Sequence, residues 1–157
     1  MNSAIEESSA IIAPPPILYL GALMLGLIAQ GIRPWTIFPA PDMGSWLATV
    51  LIILSAGLAR WSFVSLRRIG TTANPRAPSQ ALAVTGPFHW SRNPIYLAMT
   101  GLYLGATLIA NAYAPLLLLV PLWAVMHFGV IRREERYLAR QFGADYVAYA
   151  STVRRWI

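Results

Sequence analysis

The sequence predicts an all-α membrane protein of about four transmembrane helices followed by a C-terminal amphipathic helix. Three observations point there. Of 157 residues, 57% are hydrophobic and 11% are charged, against roughly 25% charged in soluble domains. Four apolar stretches approach the roughly 20 residues that cross a hydrocarbon core of about 30 Å. Ten of the twelve arginines fall on one side of those stretches, the asymmetry that marks a cytoplasmic face.

The first span covers about residues 14–33, with Pro14, Pro15 and Pro16 where a helix start tolerates proline. The second covers 45–66, the third 94–112 and the fourth 114–131. Asn111 and Tyr113 mark a tight turn between the last two, and Pro115 opens the fourth. Pro121 lies inside the fourth span and is expected to kink it. Gly101 and Gly105 give the third span a small-xxx-small face, suited to close packing within the molecule. After the fourth span, Ile131, Tyr137, Leu138, Phe142 and Tyr146 form an apolar stripe among arginines. That predicts a basic amphipathic helix over 132–150 at the membrane surface, bent or broken at Gly143. No internal repeat or second domain is evident, so residues 1–157 read as one integral-membrane domain.

The charges orient these elements. Arg67, Arg68, Arg76 and Arg92 lie between spans two and three, and Arg132, Arg133, Arg136, Arg140, Arg154 and Arg155 follow span four. Both termini are therefore expected in the cytoplasm. The net charge of +6 is used by the membrane, and no nucleic-acid partner is needed to explain it. Glu6 and Glu7, with no basic residue near them, argue against a cleaved signal peptide. The lack of cysteine excludes disulfides, thiolate zinc sites and cysteine nucleophiles. The lack of lysine excludes a P-loop or a Schiff base. With two histidines, His89 and His127, no metal site is expected.

Two polar clusters on the cytoplasmic side can carry chemistry, and the hairpin of spans three and four brings them together. The first runs from Thr85 to Leu97, TGPFHWSRNPIYL. Gly86-Pro87 makes a turn, Phe88 and Trp90 offer flat faces, and Arg92 offers a planar fork of donors. Pro94 takes the first helical position, so the unpaired N–H groups there face an anion favourably. The same residues would also serve simply to anchor a span at the lipid headgroups. The second cluster, IRREERYL from Ile131 to Leu138, holds Glu134 and Glu135. Carboxylates are unfavourable at the C-terminal end of a helix. They either form solvated pairs with Arg132, Arg133 and Arg136 or turn one carboxylate inward to a ligand cation. Together the clusters complement an amino-acid nucleoside: a carboxylate for an ammonium, an arginine for a carboxylate and aromatics for a ring.

At this point the chain resembles the integral-membrane methyltransferases that include isoprenylcysteine carboxyl methyltransferase and the phospholipid methyltransferases. The matching residues are Gly86, Phe88, Arg92-Asn93-Pro94-Ile95-Tyr96, Glu134-Glu135, Phe142-Gly143, Tyr146, Tyr149 and Val153-Arg154-Arg155. They cover about Leu82 to Ile157. The resemblance implies an S-adenosylmethionine site on the cytoplasmic side, lined by Gly86, Phe88, Asn93, Pro94, Ile95 and Tyr96. Glu134 or Glu135 would hold the methionine ammonium. Arg92 would serve the cofactor carboxylate or the structure of the site. Asn93 stands where the family has histidine, which removes one ring donor, and Arg154 stands where it has proline.

The implied function is methyl transfer to a lipophilic acceptor entering from the bilayer, such as an isoprenylcysteine carboxylate. A phosphatidylethanolamine amine and a small thiol are alternatives. A carboxylate acceptor needs no base, whereas an amine or thiol must first lose its proton. His127, seven residues before Glu134, could share its helix face; as a lone histidine it could equally be a packing residue. Arg60 within span two and Arg132 are candidate substrate contacts, with snorkelling to the interface as the plainer role for Arg60. Two competing classes are a small membrane scaffold, in which the glutamates only pair with arginines, and a nicotinamide-dependent reductase of the sterol-reductase type.

Overall fold

The computed structural model describes residues 13–40, 42–71 and 79–157. Glu6, Glu7 and Arg76 lie outside the described residues. Helix α1 is Pro15–Ile32 and α2 is Ser45–Arg68. A 3-10 turn at Gly86–His89 leads into α3, Pro94–Ile109. Helix α4, Tyr113–Phe142, is 30 residues long, and α5 is Ala144–Thr152.

Three of these, α1, α2 and α4, are long and apolar enough to cross a membrane. Helix α3, the expected third span, has 16 residues, about 24 Å at 1.5 Å per residue. It ends before residue 112 because Asn111 takes a positive φ of 47° and turns the chain. Large apolar side chains point outward along the spans: Ile53 and Leu54 are each 65% exposed and Val120 is 74% exposed. That is costly in water and favourable in hydrocarbon.

Glycines set the packing of α3 on α2. A Cβ at Gly101 would collide with Ser55, and one at Gly105 with Ile52. The small-residue face thus lies inside the molecule. Helix α1 packs on the first half of α4, where Gly26 abuts Pro115. Tyr19 of α1 ties this pair to α3 through a 2.8 Å hydrogen bond with Thr100. At one end of the bundle Asn111 organises both connections: its Oδ1 accepts from the N–H groups of Ile37 and Phe38 at 3.1 and 2.9 Å, and its amide donates to the Phe38 carbonyl at 3.0 Å.

Helix α4 holds one unforeseen irregularity and corrects one expectation. The α-helical turns run on past Pro121 to Ala124, and a π-helical segment follows over Val125–Ile131. Residues 132–150 do not form a separate surface helix. Arg132–Phe142 continues α4 without a break, and Gly143, with φ 54°, starts the distinct α5. Arginine and glutamate are good helix formers, so the change from apolar to charged sequence marks a change of solvent and not a helix end. Glu134 and Glu135 therefore lie within a continuing helix, where the unfavourable C-terminal dipole does not apply.

Candidate functional site

The basic end of the bundle encloses a cavity of about 650 Å³, within the range of roughly 300–1,000 Å³ typical of small-molecule sites. Its polar wall comes from the start of α3 and the charged part of α4: Arg92, Asn93, Tyr96 and Glu134. Its apolar wall includes Phe63 and Leu66 of α2, Phe88, Ile95, Met99 and Leu138. Pro14, Pro15 and Pro16 close it from the start of α1, and Arg67 at the end of α2 completes it with Thr71, Ser79 and Ala81–Ala83 from the connection that follows.

Local sequence explains the polar wall. Gly86, with φ 64°, allows the chain to turn into the 3-10 segment. A Cβ there would strike the Ser65 hydroxyl, so the turn sits directly on α2. Asn93, with φ −129° and ψ 50°, stays out of the helical region before Pro94, as the following proline favours. Pro94 then starts α3, and Tyr96 follows on its first turn. The Tyr96 hydroxyl donates to Glu134 Oε2 at 2.8 Å. This bond joins the start of α3 to α4 across the cavity wall.

Glu135 has different partners. Arg155 grips it with two hydrogen bonds, Nε to Oε1 at 2.8 Å and Nη2 to Oε2 at 2.7 Å. Arg92 Nη1 lies 3.1 Å from the same Oε1. The Nε of Arg92 is buried and has no hydrogen-bond partner among the described residues. The pairing with Glu135 raises the pKa of the Arg155 guanidinium further above its ordinary value. Backbone contacts bind the same two segments: Arg92 N–H donates to the Arg154 carbonyl at 3.0 Å, and the Asn93 amide and Ser91 hydroxyl donate to that of Arg155 at 3.0 and 3.3 Å. Tyr149 donates to the Phe88 carbonyl at 2.6 Å. Burial, reinforced by neighbouring Tyr146, pushes the Tyr149 phenol up to about 12, so this donor keeps its proton at neutral pH.

The family model of the phospholipid methyltransferases matches residues 43–145, well over half of the chain. The chain belongs to the phospholipid methyltransferase family. The matched region starts before α2, earlier than the Leu82 boundary of the motif resemblance, and stops short of Tyr146 and Arg155. No curated protein and no solved structure gave a significant match. Family membership and the apolar helices together make this a membrane methyltransferase.

Of the residues that the sequence assigned to the cofactor of such an enzyme, Phe88, Arg92, Asn93, Pro94, Ile95, Tyr96 and Glu134 line the cavity. Gly86 and Glu135 are not on its wall: Gly86 shapes the turn below it, and Glu135 is held by Arg92 and Arg155. The three candidate substrate contacts are also elsewhere. Arg60 is exposed on α2, and Arg132 is exposed with its guanidinium 5.6 Å from the centre of the Phe128 ring. His127 stacks on Trp123 at 5.3 Å, and Trp123 stacks in turn on Trp156 at 5.5 Å. The seven-residue spacing from His127 to Glu134 fails to align them because most of the interval is π-helical, and i→i+5 bonding puts more residues in each turn. Sequence reasoning missed Arg155 as the partner of Glu135 and missed the wall from Pro14–Pro16, Phe63 and Leu66. The pair of terminal arginines was the available signal for the first. The second depends on how distant spans pack.

Proposed function

We propose that the chain transfers a methyl group from S-adenosylmethionine to a lipophilic acceptor bearing a carboxylate, such as an isoprenylcysteine, at the cytoplasmic end of the bundle. The observation that carries this reading is the cavity with a charged wall facing an apolar one. The donor set suits the cofactor. Glu134, steadied by the Tyr96 hydroxyl, offers an acceptor to an ammonium. Arg92 offers a cation and a buried unpartnered N–H to a carboxylate. Phe88 and Ile95 offer apolar surface to a flat base. S-adenosylmethionine supplies an already electrophilic methyl group on a sulfonium.

The protein then has to align the reactants and keep water out. Phe63, Leu66, Met99 and Leu138 hold a hydrocarbon chain and dry the site. Among the described residues on the wall, the ionisable side chains are Arg67, Arg92, Tyr96 and Glu134. None is suited to deprotonate an amine at neutral pH once Glu134 serves the cofactor. A carboxylate acceptor is a nucleophile without a base, and Arg67 provides a cation at its entrance. A second reading, methylation of a phosphatidylethanolamine amine, is favoured by the description of the matching family.

Transfer of labelled methyl groups to a panel of farnesylcysteine, phosphatidylethanolamine and a small thiol tests both. A base-labile product from farnesylcysteine is expected. A base-stable methylamine would replace it with the second reading. No transfer to any acceptor, with no binding of S-adenosylhomocysteine at millimolar concentration, would reject both.

A further inference from the structure

Arg155 lies off the cavity wall, yet it holds the carboxylate that holds Arg92. Arg92, Glu135 and Arg155 form a row of two guanidiniums around one carboxylate, with a single net positive charge. Two of its three members are largely withdrawn from solvent: the side chains of Arg92 and Glu135 are each 15% exposed, and that of Arg155 is 32% exposed. Charges so placed are weakly screened. Without Arg155, Glu135 would cancel Arg92. The start of α3 would then present no net positive charge to the cavity, and Arg67 of α2 would be the remaining cation among the described wall residues.

We infer that Arg155 is a positioning residue that keeps Arg92 electrostatically available to an anionic ligand group, the carboxylate of the cofactor. The inference rests on the cofactor assignment proposed above. Three features support it. The unpartnered, buried Arg92 Nε belongs to the residue of the row that reaches the cavity. The bidentate grip on Glu135 leaves Arg155 no free approach to the cavity itself. The segment around Arg155 is independently fastened to residues 91–93 through its backbone carbonyls, so a side-chain change there leaves the wall in place.

The test compares two probes by calorimetry on the full chain in detergent. S-adenosylhomocysteine carries the ammonium and the carboxylate; S-adenosyl-3-thiopropylamine carries only the ammonium. Arg155→Gln is expected to weaken the first by about tenfold, the scale of one charge-assisted hydrogen bond, and to leave the second unchanged. Arg155→Lys, which keeps the charge, is expected to retain most of the affinity. The double variant Glu135→Gln/Arg155→Gln leaves Arg92 alone with its charge and is expected to recover binding. Equal losses for both probes, or no recovery in the double variant, would overturn the inference while the cofactor assignment stands. Failure of the unaltered protein to bind either probe would reject the cofactor assignment instead. If Arg155→Gln does not fold, the lysine and double variants decide the matter by the same comparison.

Discussion

Glu134 and Glu135 are adjacent on one helix, but the first takes its hydrogen bond from Tyr96 on the cavity wall and the second is gripped by Arg155 outside it. Successive helical residues differ by about 100° around the axis, enough to give two neighbouring carboxylates separate tasks. Glu134→Gln should therefore lower S-adenosylhomocysteine affinity by about tenfold or more with the melting temperature nearly unchanged. Glu135→Gln should instead lower the melting temperature, since it leaves two partly buried guanidiniums without their anion. Calorimetry and thermal melts in detergent separate the two effects.

Tyr96→Phe keeps the ring that packs in the core and removes only the hydroxyl that steadies Glu134. A loss of about three- to tenfold in affinity for S-adenosylhomocysteine is expected, in proportion to one side-chain hydrogen bond. The same substitution in a Glu134→Gln background should cost less than in the native chain, because the charge that the hydroxyl serves is already gone. A titration of the four proteins reads the coupling directly.

The contact between α2 and α3 predicts a contrast among glycines. Gly105→Ala drives a methyl group into Ile52 and the Ala48 carbonyl, and should destabilise by about 1–3 kcal/mol. Gly57→Ala meets nothing within 4 Å and replaces a poor helix former with a good one. It should be neutral or slightly stabilising. Unfolding in detergent and denaturant measures both.

The Tyr149 phenol has a higher pKa folded, about 12, than its ordinary value of 10.0. Its contribution to stability is therefore complete below about pH 10 and is lost as the pH rises towards 12. Melting temperatures should fall across that alkaline window. Tyr149→Phe should lower stability at neutral pH by removing the bond to the Phe88 carbonyl and should flatten part of the alkaline decline.

Asn111→Gly accommodates the positive φ but deletes the three hydrogen bonds to Ile37 and Phe38. A stability loss of about 1–3 kcal/mol is expected. The cofactor affinity should stay the same, because the cavity lies at the opposite end of the bundle. A melt and a titration on one preparation check both halves.

Much of this was legible in the chain. Long apolar runs announce spans because hydropathy along the sequence is itself the quantity that the bilayer selects. Phe88 and the unbroken run from Arg92 to Tyr96 line the cavity because a turn and a helix start keep local neighbours together. Glu134 and Glu135 were visible as a pair, but their division of labour was not. It depends on the rotational phase of α4, which the π-segment shifts. Nor did composition show where α4 ends, since its charged half is as helix-prone as its apolar half. Arg155 and the wall of Pro14–Pro16, Phe63 and Leu66 depend on contacts between segments far apart in sequence, where no local period operates.

The π-segment at Val125–Ile131 works as a screw adjustment in the last span. Winding the same seven residues at regular α-helical pitch would swing everything beyond them by about 100°. Tyr96 would then face a different side chain, and the lipid-facing half would be untouched. The aim of the charged half is thus tuned by the winding of seven residues, independently of the greasy surface before it.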